Sequence, residues 1–324
     1  MVNYFNTLIK RLLNKPLGKI IQRQEQNSIL SAMSIANLNK QKQEIIDLAE
    51  VEFSVFSQWG EDGIISWLID KIGNVPKSFI EFGVENYFES NTRYLLFERN
   101  WRGLILDGSA KNVSDIINSQ YHWKYDLQAK RQFITAENVN EIINESELDN
   151  EVGLLSIDID GNDYWVWKAI NCINPVIVVV EFNALLGDKI SISVPYDPDF
   201  IRSSKHFSNL YFGGSLQAMR DLGRKKGYEF IGTNSNGVNA FFVRSDYSDC
   251  IFNALQKVAA YPSRFREGRN YRGKLTYVRG QDRSLPISEC EFVDLSAAEG
   301  IMKKLRDFED LYSDNWVAGN KVIF

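Results

Sequence analysis

Only two histidines, His122 and His206, and three cysteines, Cys172, Cys250 and Cys290, occur among the 324 residues. Distant thiols in odd number argue against a disulfide framework and fit a reducing compartment, and so few soft ligands argue against structural zinc. No apolar run approaches the roughly 18 to 20 residues that a membrane-spanning helix requires, and the start lacks the apolar stretch and cleavage site of a signal peptide. The expected location is cytoplasmic, with peripheral contact at the inner face of the membrane left open. Positive charge is not in excess either. Lys plus Arg number 37 against 42 Asp plus Glu, a net charge of −5, which removes any global pull toward nucleic acid. No repeat of 20 to 50 residues and no low-complexity tract is visible.

What is present is an ordinary globular balance, 44% hydrophobic and 24% charged, in a chain long enough for one α/β core with added segments at both ends. Residues 1–50 read as a helical arm. Phe5, Leu8, Ile9, Leu12, Leu13, Leu17, Ile20 and Ile21 fall on one face, with an interruption expected at Pro16, and Lys10, Arg11, Lys15, Lys19 and Arg23 precede the first acid, Glu25. A basic amphipathic helix can lie on an anionic membrane. The same face can equally pack on its own domain or on a sister subunit of a homo-oligomer.

Residues 51–248 alternate short apolar strands with helices, the signature of a mostly parallel sheet with crossover helices. Strands are expected at Ser78 to Gly83, Gly103 to Gly108, Tyr121 to Leu127, Val152 to Asp160, Val176 to Asn183, Glu229 to Asn234 and Ala240 to Asp246. The runs around Val178 and Leu155 are apolar enough to be buried on both faces. Residues 249–324 form a C-terminal extension with a charged stretch, Arg264 to Arg283, and a helix-like stretch, Ala297 to Tyr312.

Ligands of open α/β sheets bind outside the carboxyl ends of the strands, and those ends are polar here. The first strand ends in Glu81-Phe82-Gly83, and Ser90-Asn91-Thr92 then offers a helix start whose free N–H groups suit the carboxylate of an amino-acid-like cofactor. Gly83 lets the chain pass close to a ligand. One glycine, where a dinucleotide fingerprint needs three, weakens an NAD reading. Asp107 ends the second strand, where a carboxylate suits the two hydroxyls of a ribose.

Phe56-Ser57-Gln58-Trp59-Gly60-Glu61-Asp62-Gly63, Phe79 to Thr92, Gly103 to Ser109 and Ser156 to Asp163 resemble bacterial methyltransferases related to the FkbM family. The resemblance spans roughly 53–244. It implies a Rossmann-like class I methyltransferase fold, a seven-stranded sheet closed by an antiparallel hairpin around Gly237, and S-adenosyl-L-methionine as cofactor. It places Glu81 and Gly83 at the cofactor loop, Asp107 at the ribose and Tyr125-Asp126 beside adenine; Asn91 at the helix start and Ser109 next to Asp107 are further candidate cofactor contacts, and Asp158, where it holds no metal, is a candidate for the cofactor's amino group. The motif loop departs from the common pattern, reading Val84-Glu85-Asn86-Tyr87 without further glycines. O-methylation of a sugar or small hydroxylated metabolite, in surface polysaccharide or natural-product synthesis, is what the resemblance implies for function.

Along the expected strand Val152 to Asp160, the period of two puts Asp158 and Asp160 on one face, and Glu181 and Asn183 share a face of the neighbouring strand. Four oxygen donors there are a candidate site for Mg2+ or another hard divalent cation. The alternative is that Asp160 caps the next helix while Glu181 and Asn183 bond backbone. His206, in the polar loop Gly187 to Gly214, is the candidate general base, with Asp160 as its catalytic companion. Two rival functions stay open. Asp158-x-Asp160 could hold the metal of a nucleotide-sugar glycosyltransferase, or the fold could serve assembly without catalysis.

Overall fold

The computed structural model describes residues 2–148, 150–297 and 300–324, and side chains at position 20 and from 22 onward within those ranges. Five strands are parallel: β1 (Ser78–Phe82), β2 (Arg102–Asp107), β3 (Leu127–Arg131), β4 (Leu154–Ile157) and β5 (Ile177–Glu181). After a two-residue strand, β6 (Ile192–Ser193), the hairpin β7 (Tyr228–Thr233) and β8 (Asn239–Arg244) completes a seven-stranded sheet of order β3-β2-β1-β4-β5-β8-β7. β8 lies antiparallel between β5 and β7. This is the Rossmann-like class I methyltransferase order implied by the resemblance.

Alternation along the central strands divides the core into two layers. Phe79, Ile105, Leu154, Ile177 and Val179 point to one, Ile80, Leu104, Leu155, Val178 and Val180 to the other. All are essentially inaccessible to water. Each contributes roughly 1.5 to 3 kcal/mol by leaving it, which is why β-branched runs with no polar face can persist here. Helices α2 (Glu61–Ile72), α3 (Arg93–Glu98), α4 (Ala110–Ile117), α5 (Val139–Asn144), α6 (Asp163–Ala169), α7 (Arg202–Lys205) and α8 (Leu216–Lys225) follow the arm helix α1 (Val2–Gln41).

The arm is one helix through Pro16, without the expected interruption. The side chains of Phe5, Leu8, Ile9, Leu12, Leu13, Leu17 and Ile21 lie outside those described; Ile20 is exposed. Farther along, Ala32 is buried with Phe56 and Tyr94, and Arg93 pairs with Glu25 at 3.2 Å, so this half of the arm docks on its own core. No described helix is long and apolar enough to cross a membrane.

Three expectations fail in detail. The third strand is Leu127–Arg131, because Tyr121 and Tyr125 turn inward to pack on Phe97, while Gln128 and Lys130 of an edge strand carry no apolar signal. β4 stops at Ile157, before Asp158. The stretch 297–312 is not a helix where it is described: β11 (Ile301–Lys304) pairs with β10 (Glu291–Asp294), which also pairs with β6, followed by a single tight turn at Leu305–Asp307. The two remaining short strands, β9 (Ala259–Ala260) and β12 (Val322–Ile323), pair with each other. Through this second sheet the C-terminal segment packs Ile287, Phe292 and Leu305 against Leu185, Phe200 and Phe212 of the loops that follow β5.

Candidate functional site

A cleft of about 650 Å³ opens at the carboxyl ends of β1, β2, β4 and β5. Glu81, Gly83, Asn91, Asp107, Asp158 and Asp160 line it, and so do Glu181 and Asn183. Their roles differ because their hydrogen bonds differ.

Glu81, buried at the end of β1, accepts from the Ser90 hydroxyl (2.5 Å), the Asn91 N–H (2.8 Å), the Thr92 N–H (3.2 Å) and the Thr92 hydroxyl (2.5 Å). Burial pushes its carboxyl up, against the pull of these bonds. Its oxygens are consumed in shaping the loop, so it positions the cleft wall. Asn91 is likewise turned away from the cleft's centre, its amide donating to Ser156 Oγ at 3.1 Å. Gly83 has φ +77°, and a Cβ there would meet the Asp158 carbonyl oxygen at 1.6 Å. The close approach that demands glycine is therefore to the backbone just beyond β4, rather than to a ligand.

Asp107 keeps one oxygen in hand. Its Oδ1 accepts from the Ser109 N–H (2.8 Å) and the Asn112 amide (3.1 Å), whereas Oδ2 has no hydrogen-bond partner among the described residues. Ser109 does not reach the cleft; its hydroxyl caps α4 by accepting from the Asn112 N–H. Asp126 does not either. It precedes β3, at the opposite end of the sheet, and pairs with Arg102 at 3.3 Å. The residues that leave β3 toward the cleft are Gln132, Phe133 and Ile134, hidden from sequence reading by the misplaced strand.

The deep acidic end also differs from its expected form. Oxygens of Asp158, Asp163 and Glu181 lie within 4.8 Å of one another. Asp163, at the start of α6, accepts from the Ile159 N–H (2.9 Å) and the Gly161 N–H (3.0 Å), winding the loop around itself. Asp160 leaves the cluster. Its backbone is left-handed at φ 58°, and its carboxylate meets Arg202 at 2.7 Å. Asn183 leaves it too, donating to the Leu210 and Phe212 carbonyls (3.0 Å each) and accepting from the Leu185 N–H. Of the four proposed ligands, Asp158 and Glu181 thus face each other, and Asp163 stands where Asp160 and Asn183 were expected.

Electrostatics mark this end as unusual. Burial first, then Asp158, hold the Glu181 carboxyl well above its ordinary range, opposed by Arg202. Burial and then Asp160 and Asp163 do the same for Asp158, and burial raises Asp163 to about 6. Glu181 Oε2 is buried with no hydrogen-bond partner among the described residues. Arg202 supplies the counter-charge. It touches Asp160, reaches Glu267 at 2.9 Å, lies 4.0 Å from Glu181 and stacks 3.7 Å over the Phe212 ring. Although burial works against its charge, Glu181, Glu267 and Asp160 hold it protonated.

His206 is absent from the cleft wall. Its Nδ1 lies 2.7 Å from Ser208 Oγ, its ring stacks on Phe207, and partial burial lowers its pKa. The loop that carries it was a sound place to look, but the residue it delivers to the site is Arg202. Phe265, Arg266 and Glu267 of the C-terminal segment complete the wall, with Phe265 4.7 Å from Trp59.

No family model matches the chain, and no curated protein matches it. Solved structures similar to it include an O-methyltransferase from Bacillus cereus in complex with SAH, at 11% identity over 67% of this chain and 89% of that one, TM-score 0.36. A second is an S-adenosylmethionine-dependent methyltransferase from Clostridium acetobutylicum ATCC 824, at 9% identity over 54% and 87%, TM-score 0.32. A third is the N-terminal domain of EvdMO1 with SAH bound, at 9% identity over 65% and 94%, TM-score 0.36.

Proposed function

We propose that the chain is an S-adenosylmethionine-dependent methyltransferase acting on a hydroxyl of a sugar or other small polar metabolite. The observation that carries this reading is Asp107, which ends β2 in the cleft with Oδ2 uncommitted, beside a β1 loop that four hydrogen bonds to Glu81 hold in shape. Asp107 would hold the ribose hydroxyls, Phe133 and Ile134 would bound the adenine side, and the loop from Gly83 to Asn91 would bound the methionine end. When bound, the cofactor would supply a sulfonium methyl for attack by an acceptor oxygen, with S-adenosylhomocysteine leaving as the neutral thioether.

The chain's own part is to orient the acceptor and receive its proton. Asp158, half-buried and facing the cleft, would take that proton in this reading, which its nearness to Glu181 and the counter-charge of Arg202 support. A second reading is favoured by the unpartnered Glu181 Oε2, namely a Mg2+ or similar cation among Asp158, Asp163 and Glu181 that binds the acceptor oxygen. The glycosyltransferase alternative needs Asp158 and Asp160 on one metal, whereas Asp160 is engaged by Arg202.

Isothermal titration with S-adenosylhomocysteine tests the reading. Binding by the wild type, weakened at least tenfold in Asp107→Ala, is expected. Absence of binding by the folded wild type sinks it, and stabilisation by a nucleotide sugar with Mn2+ instead would favour the glycosyltransferase. Full activity in chelator would remove the cation.

A further inference from the structure

The stretch 264–283 holds seven cations, Arg264, Arg266, Arg269, Arg272, Lys274, Arg279 and Arg283, and two acids, Glu267 and Asp282, in a chain whose net charge is −5. The only acid of the two that lines the main cleft, Glu267, is paired with Arg202. The fold gathers four of these arginines, Arg264, Arg266, Arg279 and Arg283, around a second cleft of about 390 Å³. Among the described residues, no carboxylate lines it. None of the four makes an ion pair among the described residues.

Four guanidinium groups left together repel one another, and each is always charged at neutral pH. Arg283 makes the arrangement costlier still, because it is only 5% exposed and burial works against its charge. Its hydrogen-bond partners are neutral, and the charge of nearby Glu267 favours its protonation without forming an ion pair with it. Arg283 donates to the carbonyls of Gly280 (3.1 Å), Phe265 (2.5 Å) and Ser263 (2.8 Å), and so braces the loop that carries Arg264 and Arg266. Exposed Arg264, Arg266 and Arg279 retain guanidinium donors for a ligand in the cleft.

The second cleft adjoins the first. Ala184, Leu185, Ser263, Phe265 and Arg266 line both, so one molecule can lie across Phe265 with an uncharged end among Asp158 and Glu181 and an anionic end among the arginines. The charge pattern opposes the reverse orientation, since an anion beside Asp158, Asp160 and Glu181 would be repelled. Resting on the methyltransferase reading above, we infer that the arginine cleft is a subsite for a phosphoryl or diphosphoryl group of the acceptor. The acceptor is thereby a phosphorylated or nucleotide-linked sugar, or a molecule of the same chemistry. Planar guanidinium forks bind phosphate oxygens two at a time, which suits a diphosphate spanning several of them.

The test uses the full chain and titrates inorganic pyrophosphate, S-adenosylhomocysteine and phosphatidylglycerol vesicles separately, on the wild type and on the exposed double variant Arg264→Gln/Arg279→Gln. The expected result is pyrophosphate binding that falls roughly tenfold or more in the variant and weakens between about 50 and 200 mM salt, with S-adenosylhomocysteine binding unchanged in both. An intact S-adenosylhomocysteine isotherm shows that the variant is folded. Wild-type protein that binds S-adenosylhomocysteine but not pyrophosphate overturns the subsite and leaves the methyltransferase reading standing. Arginine-dependent pyrophosphate binding without S-adenosylhomocysteine binding removes the methyltransferase reading and keeps the anion site. Vesicle binding without pyrophosphate binding assigns the arginines to a membrane surface and also overturns the subsite.

Discussion

Glu81 and Glu181 end the first and fifth strands of one sheet, both buried and both facing the same cleft, yet their surroundings are opposite. Glu81 accepts four hydrogen bonds from residues nine to eleven positions away, whereas Glu181 leaves Oε2 bare and has two further carboxylates within 4.8 Å. A buried carboxylate whose lone pairs are satisfied stabilises the fold. One that is crowded by like charge and unsatisfied costs stability and persists where chemistry requires it. The β1 end is thus architecture, and the β4–β5 end is where the proposed chemistry would reside.

That contrast is most severely tested by Glu81→Ala. Loss of the acceptor strands the Asn91 N–H, leaves the Thr92 N–H only its bond to Ser90 Oγ and frees the Ser90 and Thr92 hydroxyls, and we expect a drop of about 3 kcal/mol in urea-unfolding stability, with cofactor affinity lost alongside. A loss under about 1 kcal/mol would show that the loop holds without Glu81.

Glu181→Gln should behave in the opposite sense. Relief of repulsion raises stability by about 1 kcal/mol, while turnover falls about 100-fold. A destabilised and fully active variant would reverse the assignment.

Asp62 lies between the two extremes, and its pH dependence sharpens the contrast. Its Oδ2 accepts from the Val55, Phe56 and Ser57 N–H groups, but Oδ1 is bare, and burial raises its pKa from 3.8 to about 6. A raised carboxyl pKa stabilises the native state while protonated, so this contribution is present below pH 3.8 and is lost as pH rises toward 6. The stability of the wild type relative to Asp62→Asn should fall by about 2 kcal/mol across that window, read from denaturant midpoints. A flat difference would mean that Asp62 ionises without penalty.

The smallest effect is expected at His206. Its ring meets Ser208 and Phe207 outside the cleft, so His206→Ala should keep turnover within about twofold between pH 6 and 8. A lost alkaline or acidic limb would return it to the site.

The sheet was legible because strands buried on both faces must be continuously apolar, and Val176 to Val180 and Leu154 to Ile157 can be little else. Edge strand Leu127–Arg131 escaped because half of it meets water. Strand-end acids were legible as well: Glu81, Asp107, Asp158 and Glu181 all line the cleft. Their division of labour was not. Whether an acid is satisfied depends on partners brought in from elsewhere, such as Ser90 and Thr92 for Glu81 and Arg202 for Asp160.

The sequence by itself therefore determined the layers and the polar strand ends, which follow from local periodicity, whereas the order of strands was available only as what the family resemblance implied. Only the tertiary structure decided that Asp163 replaces Asp160 beside Glu181, that Arg202 rather than His206 enters the site, and that four arginines from 264–283 form a cleft beside it. Electrostatic and hydrogen-bonding roles depend on distances of a few ångströms between residues far apart in sequence, such as Glu61 and Asn239, and periodicity along the chain carries no record of those distances.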